Sequence, residues 1–416
     1  MNMIKSSITN SKGIHYMLLS AFGLMGVYPL IPERYEGFVV IFFIVVSITL
    51  FLLNYQGKGI LKKEFLITSS LFVVFLISAL MSSEISEGFK KIETMLSLLI
   101  FPLVFFIFLG RTRLDYYKYK SIFFKVFFAS NVLFSLLSFY LFGVYSSPKF
   151  SIKDASFFRD AVTDIPLIGD HPIYISIFLS IAILIGVTFY KFKKHHIVYN
   201  ILTVIGHLII GVLLVLLMSK GVIIALFIAI CVLLSRKTKK KYIISILVLL
   251  LLSLLIPSAN NRFKELFNEE TYNTLNSQNS TSIRVNILKC NYKLIVSNPI
   301  LGYGLGDVQE ALDRCYFENN YGFISGKYNS HNQYMFVWLS AGIIGFFLFL
   351  FLLMYYFKKT WDSKDYLMLA IISFYCVVFL FENVLSRQSG VILFAFIINL
   401  MVLDNIKSNN SIKASN

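Results

Sequence analysis

The stretch Asn329–Phe357, NSHNQYMFVWLSAGIIGFFLFLFLLMYYF, contains no Asp, Glu, Lys or Arg and is long enough to cross about 30 Å of hydrocarbon as a helix. His331 stands at its mouth, so a titratable side chain is placed at a membrane edge. Working outward, comparable apolar runs lie at roughly 14–31, 37–53, 66–82, 93–109, 121–142, 172–190, 198–218, 221–235, 241–257, 366–382 and 390–404, with this one at 333–357. They predict an all-α polytopic integral membrane protein of about twelve transmembrane helices. The composition agrees: 57% of 416 residues are hydrophobic, 14% are charged, and the mean hydropathy is +0.73, which excludes an ordinary soluble domain.

Charge sets the expected orientation. With the N-terminus cytoplasmic, the short inner segments hold more than half of the 38 Lys and Arg residues, in clusters such as Lys62/Lys63, Arg111/Arg113/Lys118/Lys120, Arg236–Lys241 and Lys358/Lys359/Lys364. Both termini are then cytoplasmic. The net charge of +16 follows from this bias and a basic outer loop, and needs no nucleic acid. Lys5 and Lys12 before an apolar run resemble a signal peptide, but no small-x-small cleavage site follows, so this run reads as the first span.

Two connections are long, 143–171 and 258–332, and long loops in compact proteins tend to be functional. The layout expected is an N-terminal bundle of about nine helices (1–257), a large extracytoplasmic loop carrying amphipathic helices (258–332), about three C-terminal helices (333–404), and a polar tail (405–416) that should be disordered. Within the loop, SIRVNILKCNYKLIVSN spaces Ile283, Ile287, Tyr292 and Leu294 as one helical face and ends at Asn298-Pro299. It is either a packed lid or a substrate-facing element. Next come Gly302, Gly304 and Gly306, which allow close backbone approach; with no preceding strand they are not a dinucleotide loop.

Ionisable groups at or in spans carry the chemistry. Lys220, in LLMSKGVIIAL, faces outward and either snorkels to lipid headgroups or meets an anionic substrate. His331 is either a hydrogen-bonding group at a helix start or a general base, the role an imidazole suits near neutral pH. Glu382 and Arg387, in FENVLSRQSG, flank an outer turn where mutual pairing is the simplest expectation. His171, in GDHPIY, starts the sixth span and can line the same outer cavity. His207 reads as a neutral core residue, and His195/His196 as part of a basic cluster. Cys290 and Cys315 share the outer loop and can form a disulfide, whereas Cys231 and Cys376 read as packing residues.

An S-K-G turn between two spans, an Arg-bearing loop helix followed by NPILGYGLG, and SHN with AGIIG opening a span together resemble the O-antigen ligase family, which includes related polymerases. The motifs fall between about 200 and 345. The resemblance implies a GT-C-like membrane glycosyltransferase acting at the outer face of the bacterial inner membrane, with a polyprenyl-diphosphate-linked glycan as donor and a glycan or lipid A core as acceptor. By motif position Arg284, His331 and Lys220 would be catalytic, Lys220 standing where most members carry arginine; it keeps the charge but not the bidentate fork. Gly304, Gly306, Asn332, His171, Arg387 and Glu382 are candidate substrate-binding residues. With two cations and a base at the outer face and no acidic cluster of metal-ligand spacing, the expected chemistry uses neither metal nor cofactor. Competing readings are an O-antigen or exopolysaccharide polymerase using the same donor and, less well matched, a transporter of lipid-linked sugars, which predicts paired repeats with interrupted spans. The oligomeric state is open.

Overall fold

The computed structural model of the protein describes residues 11–53, 61–112, 114, 116–145, 155–165, 168–189, 197–234, 269, 280–319 and 328–415. Among these the elements are helical, with no strand: α1 (Ser11–Gly26), α2 (Glu36–Leu53), α3 (Lys62–Leu80), α4 (Ile85–Met95), α5 (Ser97–Pro102), α6 (Tyr116–Tyr145), α7 (Ala155–Thr163), α8 (Pro172–Phe189), α9 (Ile197–Leu216), α10 (Lys220–Leu234), α11 (Ser280–Ser297), α12 (Val308–Glu318), α13 (Gln333–Ser363), α14 (Tyr366–Val378) and α15 (Gln388–Ser415). Among the described residues, 6 helices can cross a membrane by length and composition, Glu33–Leu53, Lys62–Leu80, Tyr116–Gly143, Ile197–Leu216, Gln333–Ser363 and Gln388–Ser408, and the pair Ile85–Met95 and Ser97–Arg111, bent by 44°, would make 7. Pro172–Thr188, Lys220–Leu234 and Tyr366–Val378 are shorter apolar helices. The protein is thus an all-helical, multi-pass membrane protein. The expected span at 241–257, the Arg236–Lys241 cluster, His195/His196 and most of the 258–279 segment lie outside the described residues.

Two expectations are corrected. The run at 93–109 does not form one straight span: it bends by 44° at the break between Met95 and Ser97, and beyond Pro102, which lacks an N–H and crowds the preceding turn, it passes into a π-helical turn at Leu103–Phe108. The polar tail expected to be disordered continues α15 as helix to Ser415. Lys407 anchors it by donating to the carbonyls of Gly110 (2.5 Å) and Thr112 (3.1 Å). Asp404, one turn earlier, pairs with Lys120.

α15 forms the centre of the bundle. Its apolar window is 94% buried, and Phe396 packs edge-on against Phe43, Phe101 and Phe123 at ring distances of 5.3, 5.4 and 4.8 Å. Aromatic pairs of this geometry add to the gain from burying apolar area. Around it α1 runs along α6, α3 along α13, and α10 along α14.

The expected helix through 333–357 is broken at Gly342 (φ 66°, ψ −166°), a backbone conformation open to glycine and costly for other residues. The break frees backbone groups of α13 to bond the segment after α11. Tyr303 N donates to Leu339 O (2.6 Å), Gly304 N to Ser340 O (3.1 Å), and Ile343 N to Pro299 O (3.0 Å). Trp338 Nε1 also donates to Pro299 O (2.9 Å). The far end of the same segment grips the α3–α4 corner. Asp307 accepts from Ser83 N (2.6 Å) and Glu84 N (2.8 Å), Gly306 N donates to Ser82 Oγ (2.8 Å), and Lys91 Nζ donates to Leu305 O (2.8 Å).

A Cβ at Gly342 would collide with the Ile300 carbonyl. Gly342→Ala is therefore expected to lower the melting temperature in detergent, with a backbone cost of about 1–3 kcal/mol before the clash is counted. Gly211 in α9 has open space beside it, so Gly211→Ala is expected to be neutral or slightly stabilising. Equal melting temperatures for the two variants would remove the break from the set of features that hold this fold.

Candidate functional site

Lys220 opens α10 after a turn in which Met218 takes a left-handed conformation (φ 48°). Its ammonium reaches across to Thr281 Oγ1 (3.1 Å) at the start of α11. Arg284 follows one turn along α11. The helix is held in place by Asn291 Nδ2, which donates to Ser330 O (2.8 Å), and by a disulfide between Cys290 and Cys315 of α12.

His331 lies in the turn before α13, with a left-handed backbone (φ 42°) fixed by its N–H bonding to Asn329 Oδ1 (3.0 Å). The neighbouring polar residues are structural. Ser330 Oγ pairs with Asn383 (2.9 Å), Asn332 Oδ1 caps α13 by accepting from Met335 N (3.0 Å), and Gln333 Oε1 accepts from Leu385 N (2.9 Å). These bonds join the mouth of α13 to the turn after α14, which brings Glu382 to His331.

Glu382 is buried, with Oε2 3.1 Å from His331 Nδ1 and 4.0 Å from Arg284 Nη2. Burial alone would push its carboxyl up, but the opposing charge and hydrogen bond of His331, with Arg284 and His171 near, hold it at about 2 against an ordinary 4.5. The carboxylate is therefore ionised and can only accept. The proton between the pair sits on Nδ1, and a neutral ring keeps the Nε2 lone pair available.

Arg159, Lys220, Arg284, His331 and Glu382 line one cavity of about 410 Å³, with apolar walls including Val222, Val285, Leu288, Val378 and Phe381. The three sequence-expected catalytic residues are thus brought together, and Glu382 with them. Glu382 and Arg387 do not pair, because the tight turn and 3-10 segment between them send the side chains apart. Arg387 instead lies 3.4 Å from Asp170 and stacks at 5.2 Å over Tyr174.

The other expected substrate contacts, Gly304, Gly306, Asn332, His171 and Arg387, are not among the residues lining this cavity. The glycines pack against Ser82 and Glu84, and Asn332 serves as a helix cap. Arg159, on α7, was not singled out by the sequence: it belongs to no motif, and only its place in the long 143–171 connection hinted at it. His207 is buried as expected and donates from Nδ1 to Thr203 O (2.7 Å). Cys376 is partly buried, whereas Cys231, expected to pack, is exposed on α10. Among the described residues no group of His, Cys, Asp and Glu gathers in a metal-holding arrangement.

His171 immediately precedes α8 and does not line the cavity. Burial lowers it from 6.5 to about 4; Glu382 pulls it up, and Arg387, Arg159 and His331 push it down. Once unfolded, this histidine takes up a proton as pH falls through 6.5, while the folded protein does not until about 4, so the residue makes stability fall across that window. Glu382 has the separate effect of stability present above 4.5 and lost as pH falls towards 2. As pH is lowered from 6.5 to 4.5, the melting temperature of the wild type is expected to fall more steeply than that of His171→Asn; parallel declines would assign the acid sensitivity elsewhere.

Fold and site define a polytopic helical membrane protein with a basic, apolar-walled cavity and a His–Glu pair at one end of its bundle. Residues 205–350 match the family model described as O-antigen ligase, and this match supports assigning the chain to the O-antigen ligase family. The matched segment holds Lys220, Arg284 and His331, and leaves Arg159, His171 and Glu382 outside it. No curated protein matches the chain.

Proposed function

We propose that this chain is an O-antigen ligase, transferring a glycan from a polyprenyl diphosphate to a sugar hydroxyl of a lipid A core. The observation that carries the reading is the convergence of Lys220, Arg284 and the His331–Glu382 pair on one cavity whose remaining walls are apolar. Such a site suits a donor that is an anion on an apolar chain.

In the reaction His331 Nε2 takes the proton of the acceptor hydroxyl as its oxygen bonds the anomeric carbon. The bond from that carbon to the phosphate oxygen breaks, and its electron pair leaves with the polyprenyl diphosphate. Arg284 and Lys220 stabilise the developing negative charge, which supplies electrostatically what a divalent ion supplies elsewhere. Glu382 holds the imidazole tautomer and stabilises the imidazolium that forms. No metal enters these steps.

The site end of the bundle faces out of the cytoplasm of a bacterial inner membrane, with both termini inside. The Cys290–Cys315 disulfide supports this side, since such bonds persist in oxidising compartments, and the clustering of Lys and Arg in the opposite loops supports it independently.

The test is reconstitution of the purified protein with carrier-linked glycan and candidate acceptors. Transfer to a lipid A core, undiminished by EDTA, is expected. Transfer onto a second carrier-linked unit instead would make the chain a polymerase, and activity lost in EDTA and restored by magnesium or manganese would overturn the metal-free chemistry. External labelling of Glu310→Cys but not of Lys364→Cys in intact cells is expected for the orientation.

A further inference from the structure

We infer that Arg159 is a positioning residue: its guanidinium locks the turn between α9 and α10 and thereby aims Lys220 into the cavity. This rests on the reading of the cavity as a diphosphate site.

α9 ends at Leu216, and the carbonyls past its last turn have no partners within the helix. Arg159 Nη1 donates to one of them, Leu217 O, at 2.6 Å, and lies 3.5 Å from Ser219 Oγ. A cation there also complements the negative end of the α9 dipole. Between those two contacts lies Met218, buried and left-handed at φ 48°, a conformation that an L side chain adopts only when something holds it. Ser219 Oγ also accepts from Ser176 Oγ of α8 (2.9 Å), and Ile223 N bonds Ser219 O (3.0 Å), so α10 starts where the turn sets it.

Lys220 is the first residue of α10. Any relaxation of Met218 towards negative φ rotates this residue and moves its ammonium away from Thr281 and from Arg284. Arg159 also lines the cavity, so direct contact with the ligand is the alternative to be separated from positioning.

The probe is geranylgeranyl diphosphate, with binding to the purified full-length protein measured by calorimetry in detergent. Arg159→Met is expected to weaken binding by about 10- to 100-fold, the scale of a hydrogen bond to a charged group. Adding Met218→Gly, which takes the left-handed conformation without strain, is expected to recover about fivefold or more of that loss. In a Lys220→Ala background, Arg159→Met is expected to weaken binding by less than about threefold, because the two residues act through one contact.

Full multiplication of the Arg159→Met and Lys220→Ala losses, or no recovery with Met218→Gly, would overturn positioning in favour of direct contact. If Arg159→Met does not fold, Arg159→Lys carries the same test, since the shorter lysine side chain does not carry a donor to the position Nη1 takes between Leu217 O and Ser219 Oγ. Its loss is expected to be smaller and again relieved by Met218→Gly; absence of relief overturns the proposal. Wild-type affinity in both Lys220→Ala and Arg284→Ala would instead defeat the diphosphate reading, while loss in those two with wild-type affinity in Arg159→Met would defeat only the inference about Arg159.

Discussion

His331→Ala is expected to lower the transfer rate by about two to four orders of magnitude, the range of a general base. The fold should survive, because the turn is held by Asn329, Ser330 and Asn332 rather than by the imidazole. His331→Gln keeps a polar group of similar reach but no usable base, so near-native turnover in that variant would reduce His331 to orienting the acceptor. Glu382→Gln adds a second reading. An amide can donate as well as accept, so it no longer dictates which ring nitrogen carries the proton, and the rate should fall while the cavity stays intact. If Glu382→Gln were as active as wild type, the 3.1 Å contact with His331 would be structural only.

Arg284→Ala is expected to cost about 10²–10³ in rate, the scale for losing one preorganised donor to a developing anion. Stability should change little, since Arg284 is 32% exposed and stands 4.0 Å from its carboxylate partner, a separation at which an ion pair contributes weakly. Arg284→Lys keeps the charge and loses the fork, so it should fall between the two. Lys220→Arg is expected to retain more activity than Arg284→Lys. Measured turnover of Arg284→Ala within threefold of wild type would take the guanidinium out of the mechanism.

Much of this was legible in the sequence, because hydropathy acts locally. A run such as 390–404 announces a membrane helix whatever surrounds it, although nothing in the run says that α15 will be the bundle's centre. The site was legible where motifs carried it, at Lys220, Arg284 and His331. It was not legible where chemistry depends on residues distant in the chain. Glu382 meets His331 across 51 positions, and Arg159 meets Leu217 across 58; neither leaves a periodic signal. The glycines of NPILGYGLGD were misleading for a related reason. Their conformational freedom was plain, but close backbone approach to a ligand and close approach to Ser82 or Leu339 look alike in sequence.

The interrupted helix at Gly342 also bears on how this protein could be rebuilt from parts of its relatives. The segment 298–307 and the segment 339–343 bond to each other through their main chains, so neither has its shape alone. A chimera that exchanges the loop from α11 to α12 but keeps its host's own α13 joins halves of a fitted pair. The crossover points that preserve the fit lie before Asn298 and after Ile343, with Ser82 to Glu84 as the third piece of the same cassette.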